Sequence, residues 1–213
     1  MRKNIGYLCF LLFTVSSFAQ NQEIVVLNKP DTNRGLSLMQ TLSIRASETE
    51  FDTTSILIQD LSDLLWASNG INRPETGKRT APSALNAQDI DVYVAMKSGI
   101  FFYNANKHLL EKLVDGDYRP DIADKQENFA LAPIICLLVS DISRFRFGED
   151  SLRLTWAAID AGIVSQNINL FCASTGFSTR PRTSMNQQKL REILKLKDSQ
   201  YIMLNNPIAY KKD

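Results

Sequence analysis

The apolar and polar positions change period several times along the chain. Leu36, Met39, Leu42 and Ile44 return at helical intervals, which predicts a first helix before the polar run Arg45 to Phe51 breaks it. A second helix, capped by Thr53, Thr54 or Ser55, carries Ile56, Leu57, Leu61, Leu64, Leu65 and Trp66 on one face. It is expected to stop at Asn69-Gly70 through a left-handed glycine. Residues 71 to 79, with Pro74 and Gly77, read as a loop, and a short helical turn follows Pro82. Ile90 to Ala95 alternates as a strand, and Gly99 to Tyr103 with His108 to Val114 forms a hairpin. A polar helix is expected at Asp121 to Phe129, and the unbroken apolar run Ala132 to Val139 suits an internal strand. The longest helix spans Ser151 to Thr175, with Trp156, Ile159, Ile163, Asn167, Leu170 and Ser174 along one side. A short helix at Asn186 to Leu194 and a strand at Ser199 to Leu204 complete the series. This order predicts an α+β sandwich, a central mixed or antiparallel sheet flanked by helices.

The N-terminus departs from that pattern. Arg2 and Lys3, the apolar run Tyr7 to Val15 and the small-residue approach Ser17-Phe18-Ala19 have the three-part form of an export signal cleaved near Ala19. The run is shorter than the roughly 20 residues that span a bilayer, so stable membrane insertion is not expected and the mature chain is expected in the periplasm. Residues 20–35 then form an N-terminal arm and 36–213 one domain. Removing Arg2 and Lys3 from the 24 Lys+Arg leaves 22 against 23 Asp+Glu, a balance that gives no footprint for nucleic acid. Cys136 and Cys172 remain after cleavage. A bridge is open to them, but both fall in apolar elements, and two buried thiols are the expectation. With one His and no close Cys pair, a zinc site is not expected.

Familiar catalytic patterns are missing: no Gly-rich dinucleotide fingerprint, no phosphate loop and no His-Glu-x-x-His. His108, the single imidazole, sits in the hairpin with no local partner for a triad. What stands out is Pro82-Ser83-Ala84-x-Asn86-x-Gln88, which packs a rigid φ, a hydroxyl, a small methyl and two amides into seven residues before a strand. Such a segment can present donors and acceptors to a flat heteroaromatic ring, or it can be a capped turn.

Four blocks, in order, resemble the FMN-dependent nitroreductase superfamily, particularly the branch related to dehydrogenases that oxidise azoline rings in peptide natural products. They are Arg45-Ala-Ser-Glu-Thr-Glu-Phe51, Arg79 to Gln88, the hairpin Gly99 to Leu109, and the long helix with its glycine, Asp160 to Phe177. The resemblance implies an intertwined homodimer with FMN in the subunit interface. It implies that Arg45, Ala46 and Ser47 meet the ribityl phosphate, that Thr49 stands beside the N1/O2 edge of the ring, and that Pro82, Ser83, Ala84, Asn86 and Gln88 touch the isoalloxazine from the partner. It also implies that the loop with Arg182 and Thr183 brings a backbone N–H to flavin N5. Lys211 and Lys212 are expected either to add charge at the phosphate or to be solvated.

Two departures accompany the likeness. Thr49 stands where the family often has Lys or Arg, which makes reduction harder unless Arg79 or Arg182 supplies charge from elsewhere; one nearby charge is worth about 1 to 4 kcal/mol. Thr183 stands where the family commonly has Gly, a residue that tolerates positive φ as Thr does not. The implied function is an exported FMN-dependent oxidoreductase passing hydride to or from an unknown small organic substrate, with an unknown electron donor. The alternatives are a non-catalytic flavin- or ligand-binding protein that keeps the fold, and an interaction protein built on a large apolar dimer surface.

Overall fold

The computed structural model describes residues 23–212, so the expected export signal lies outside the described residues. In chain order the elements are β1 (Ile24–Val26), α1 (Leu38–Ile44), α2 (Ile58–Asn69), β2 (Ile71–Arg73), β3 (Lys78–Arg79), β4 (Ile90–Met96), β5 (Gly99–Asn104), β6 (Leu109–Asp115), α3 (Arg119–Ala123), β7 (Ile134–Asp141), α4 (Asp150–Thr175), β8 (Phe177–Thr179), α5 (Gln187–Leu194) and β9 (Gln200–Tyr210). A 7-stranded sheet in the order β1-β6-β5-β4-β7-β9-β8 forms the frame, and every neighbouring pair in it is antiparallel. The sheet is therefore antiparallel, not mixed. Among the described residues no helix is long and apolar enough to cross a membrane.

Alternation along each strand divides the core into two layers. Val92 and Val94 of β4, with Cys136 and Leu138 of β7, pack against Leu61, Leu64 and Leu65 of α2 and Ala161, Val164 and Ile168 of α4. Tyr93 and Ala95, with Ile135, Leu137 and Val139, face the other way, toward Ile122 of α3, Phe129 and Leu190 of α5. Because β7 is covered on both faces, its sequence loses the polar half of the alternation and reads as one apolar run. Cys136 and Cys172 are free thiols in the α4-side layer.

Several elements differ from the sequence-based expectation. The arm at residues 20–35 contains β1, which pairs with β6, and beyond it Asn28 and Asp31 donate backbone N–H groups to Ser62 and Asp63 of α2. None of Thr53, Thr54 and Ser55 caps α2: its N-cap is Leu57, whose N–H donates to the Tyr210 hydroxyl at 3.1 Å. Asp52 instead accepts from the Thr54 N–H and closes a local turn. Gly70 is extended, not left-handed; an added Cβ would lie 2.7 Å from the Trp66 backbone, so close approach is what demands glycine there. The expected loop after it holds the β2–β3 ribbon. Asp124, at φ 53°, splits the polar helix into α3 and a 3-10 turn at Glu127–Leu131.

On α4 the buried stripe is Ala157, Asp160, Ala161, Val164, Ser165, Ile168, Asn169 and Cys172, one position round from the expected side. Small residues let the helix settle close to the sheet, while Ile159 stays exposed and Trp156 packs at a tilt on Phe145 and edge-to-face with Phe147 at the rim. β8 has no counterpart in the expected series, and β9 continues past Leu204 through Pro207. On the side facing β8, Pro207 falls between the Arg182–Asn205 bridge and the β8 pairing that starts at Ile208, a gap where a missing N–H is tolerated.

Candidate functional site

Residues after α1 fold back onto the end of α4. The Glu48 N–H donates to the Thr179 carbonyl at 3.1 Å, and the Lys211 N–H donates to the Gly176 carbonyl at 3.0 Å. Gly176 closes α4 in the left-handed region at φ 82°, which turns the chain directly into β8. These contacts surround a cavity of about 250 Å³ bordered by Ala46, Glu48, Ser174, Gly176, Thr179 and Lys211. Lys211 and Glu48 approach to 3.9 Å across it.

Arg45 is the half-buried C-cap of α1, and among the described residues its guanidinium and the Ser47 hydroxyl have no protein partner. Thr49 is exposed; its carbonyl accepts from Asn128 while its hydroxyl is unengaged. Lys212 is exposed near Asp52, whose carboxyl lies below its ordinary range chiefly through the Thr54 hydrogen bonds, with Lys212 a lesser pull. The unengaged Arg45 guanidinium and Ser47 hydroxyl flank Ala46, which lines the cavity together with Lys211, and both are groups of the kind that bind a phosphate monoester.

The second block behaves differently. Ser83 accepts from the Gln88 N–H at 2.8 Å, and the Gln88 amide accepts from Arg79 and donates to the Gly77 carbonyl, both at 3.0 Å. Ser83 and Gln88 therefore brace the turn with groups expected to face a cofactor. Asn86 is exposed with a free amide, and Pro82 is exposed. Leu85, Asn86 and Gln88 all have positive φ, at 56°, 53° and 50°. Left-handed backbone costs a non-glycine residue on the order of 1 kcal/mol, and such strain gathers where a fold holds a functional segment in place. The Ala84 N–H donates to both Asp160 carboxylate oxygens, at 3.1 and 2.9 Å.

Arg182 is 6% exposed, and its five N–H groups reach Gln126, Ile122, Ala123 and Asn205 while the guanidinium lies 4.2 Å over the Phe129 ring. Its backbone N–H bonds Asn205 as well. No donor of Arg182 is left for a ligand. Arg79 is similarly engaged with Gln88 and the Asn69 carbonyl. Thr183 is exposed and lacks positive φ, and among the described residues its N–H has no acceptor, so the absence of glycine brings no backbone strain and leaves a donor on the surface.

The two principal blocks do not meet within one chain. Ser174 borders the Lys211 cavity and Asp160 holds Ala84, and 14 residues of α4 separate them, about 21 Å along the axis. A cleft of about 370 Å³ lies between α1 and α4, bordered by Leu38, Thr80, Asn167 and Ser174, and the two largest, of about 560 and 600 Å³, lie elsewhere: one beside Thr53, Met96 and Pro133, the other beside Trp66, Ile71 and His108. Ala105 to His108 of the hairpin block line the second of these two, and no residue of 45–49 or 79–88 lines either of them. Sequence reading missed Asp160, Asp89, Asp91 and Arg144. A signal existed for Asp160, a lone charge amid Ala157 to Ile163 on a helix whose neighbours are apolar.

Known proteins share both the sequence and this architecture. The nitroreductase family model matches residues 42–210. A protein of Methanocaldococcus jannaschii named as a nitroreductase is 27% identical over 187 residues, covering 83% of this chain and 92% of that one. A crystal structure from Ralstonia eutropha JMP134, also described as a nitroreductase, superposes with a TM-score of 0.83 at 34% identity, over 89% of this chain and 90% of its own. The Escherichia coli microcin synthetase complex contains a chain of the same fold, with a TM-score of 0.68 at 14% identity, over 95% and 85% of the two chains.

Proposed function

The chain belongs to the nitroreductase family, and from that premise we propose that it is an exported, homodimeric FMN-dependent oxidoreductase acting on a small organic substrate. The observation that carries the cofactor reading is the fold-back of residues 45–48 onto Gly176 and Lys211, which sets Ala46, Glu48 and Lys211 around one cavity, with the unengaged side chains of Arg45 and Ser47 on either side of Ala46 in the chain. In this reading Arg45 grips the phosphate bidentately, Ser47 adds a hydrogen bond and Lys211 supplies charge. Asn86, presented by the braced turn of a second protomer, offers its amide to the ring. The exposed Thr183 N–H would be the donor offered to the flavin N5.

Bound FMN would supply hydride transfer, and the protein's part is to position the ring and exclude competing reactions. No side chain is assigned as a general acid or base. The Gly99 to Leu109 hairpin motif supports a place near the azoline-oxidising branch. Residues 2–19 support export, and an exported enzyme draws on an electron donor other than the cytoplasmic nicotinamide pool.

Purification tests the reading directly. The protein should be yellow or take up FMN stoichiometrically, with Arg45→Ala weakening binding at least tenfold while the far-ultraviolet circular dichroism is unchanged. A colourless protein that gains no flavin absorbance on mixing with FMN refutes it.

A further inference from the structure

Two buried carboxyl groups lie beneath the strained turn. Asp89, at 0% exposure, follows the turn directly and precedes β4; Asp160, at 2%, comes from α4. Asp160 accepts from the Ala84 N–H with both oxygens. Asp89 Oδ2 accepts from Ser140 Oγ at 2.5 Å, whereas the buried Oδ1 has no hydrogen-bond donor among the described residues. The Asp89 side chain interacts directly with that of Asp160; an isolated buried carboxylate oxygen beside a second carboxylate is very costly, and one proton between them removes both the like-charge repulsion and the missing bond.

We infer that Asp89 and Asp160 share one proton, carried on Asp89 Oδ1 and directed at Asp160, and that this proton locks the turn from Ala84 to Gln88. Asp160 is the carboxylate of the pair because its oxygens already receive the Ala84 donor. Asp89 is the acid because only its orphan oxygen needs a hydrogen. Both groups are positioning residues: they act on the turn through the Ala84 N–H and touch no cofactor.

The charged groups around the pair leave this assignment in place. Arg144, beyond β7, is held by the Asp91 carboxylate on β4 and by the Gln88 carbonyl. Arg79 of β3 is occupied by Gln88 and Asn69, and the Asp141 side chain at the end of β7 accepts from Ser143. Among the described residues no cation hydrogen-bonds Asp89, although Arg144 feels its charge from a distance. Burial, with the Asp160 charge added to it, raises the Asp89 carboxyl to about 7. The folded chain then holds a proton that the unfolded chain releases. This contribution to stability is fully present below the ordinary carboxyl value of 3.8 and is lost as pH rises from there through about 7.

Infrared spectroscopy of the full chain without flavin tests the shared proton. A protonated-carboxyl C=O stretch should be present at pH 6, shift in D2O, disappear near pH 7 to 8, and be absent from Asp89→Asn at all these pH values. The amide introduced by Asp89→Asn can still donate to Asp160 and accept from Ser140, so this variant should fold and melt with less pH dependence than wild type. Asp160→Asn should keep the band but lower its midpoint. Ala84 amide exchange, corrected for intrinsic rate, should quicken at least several-fold above the midpoint in wild type and not in Asp89→Asn. Absence of the band at pH 6, its survival in Asp89→Asn, or Ala84 exchange indifferent to the midpoint overturns the inference.

Its link to flavin rests on the proposed function. FMN affinity should fall several-fold from pH 6 to pH 8 in wild type but not in Asp89→Asn. A protein that binds no FMN at either pH refutes that function, while the infrared and exchange results still decide the shared proton.

Discussion

Arg182 illustrates how an expected ligand contact becomes a structural one. Its five donors join α3, the following 3-10 turn and β9, and the guanidinium plane rests on Phe129. Lysine has three donors on a flexible stem and cannot match this planar fork. Arg182→Lys should therefore cost about 3 kcal/mol in urea unfolding, the range for breaking a buried charged network. Leu85 carries the opposite lesson. It is 45% exposed and left-handed, so little packing offsets its backbone strain. Leu85→Gly should be neutral or stabilising by up to about 1 kcal/mol, while Leu85→Val should destabilise by about 1 kcal/mol, both by the same unfolding measurement. The sequence made Ser83, Asn86 and Gln88 conspicuous as a group, but it could not divide them. Which amide turns inward depends on Arg79 and Gly77, and that arrangement exists only once the β2–β3 ribbon has formed.

Among the elements, α1 shows what periodicity can and cannot tell. Its start is a full capping box between Ser37 and Gln40, and its apolar spacing is helical as expected. Yet Leu38, Met39, Leu42 and Ile44 are 47 to 75% exposed, and Thr41 is the buried residue of the helix. A periodic pattern records that a face is to be covered; it does not say by which chain. The proposed dimer would cover this face, so Met39→Glu with Leu42→Glu should shift the sedimentation coefficient from dimer to monomer while circular dichroism persists. The buried side of α4 differs from the expected one for a related reason: large apolar residues lie on more than one side, and small alanines decide which side approaches the sheet. β7 is legible because burial on both faces erases polar alternation, whereas β8, three residues long, has too few positions to show any period.

For the whole molecule, the separation of the Arg45 block from the Asn86 block along α4 makes the proposed site a property of two chains. Mixing Arg45→Ala with Asn86→Ala protomers tests this. Each variant alone should bind FMN weakly, but a mixed dimer places both lesions in one site and leaves the other intact, so titration should recover about half of the wild-type stoichiometry in mixed dimers. No recovery after subunit exchange would place both blocks on the same flavin within one protomer.

The sheet itself limits how such chains associate. Its outermost strands, β1 and β8, have only three residues each. A three-residue margin offers few unpaired amides to a newcomer. β1 and β8 cover only parts of β6 and β9, so sheet extension is confined to the short uncovered lengths of those two strands, whereas the exposed apolar face of α1 lets chains pair through helices.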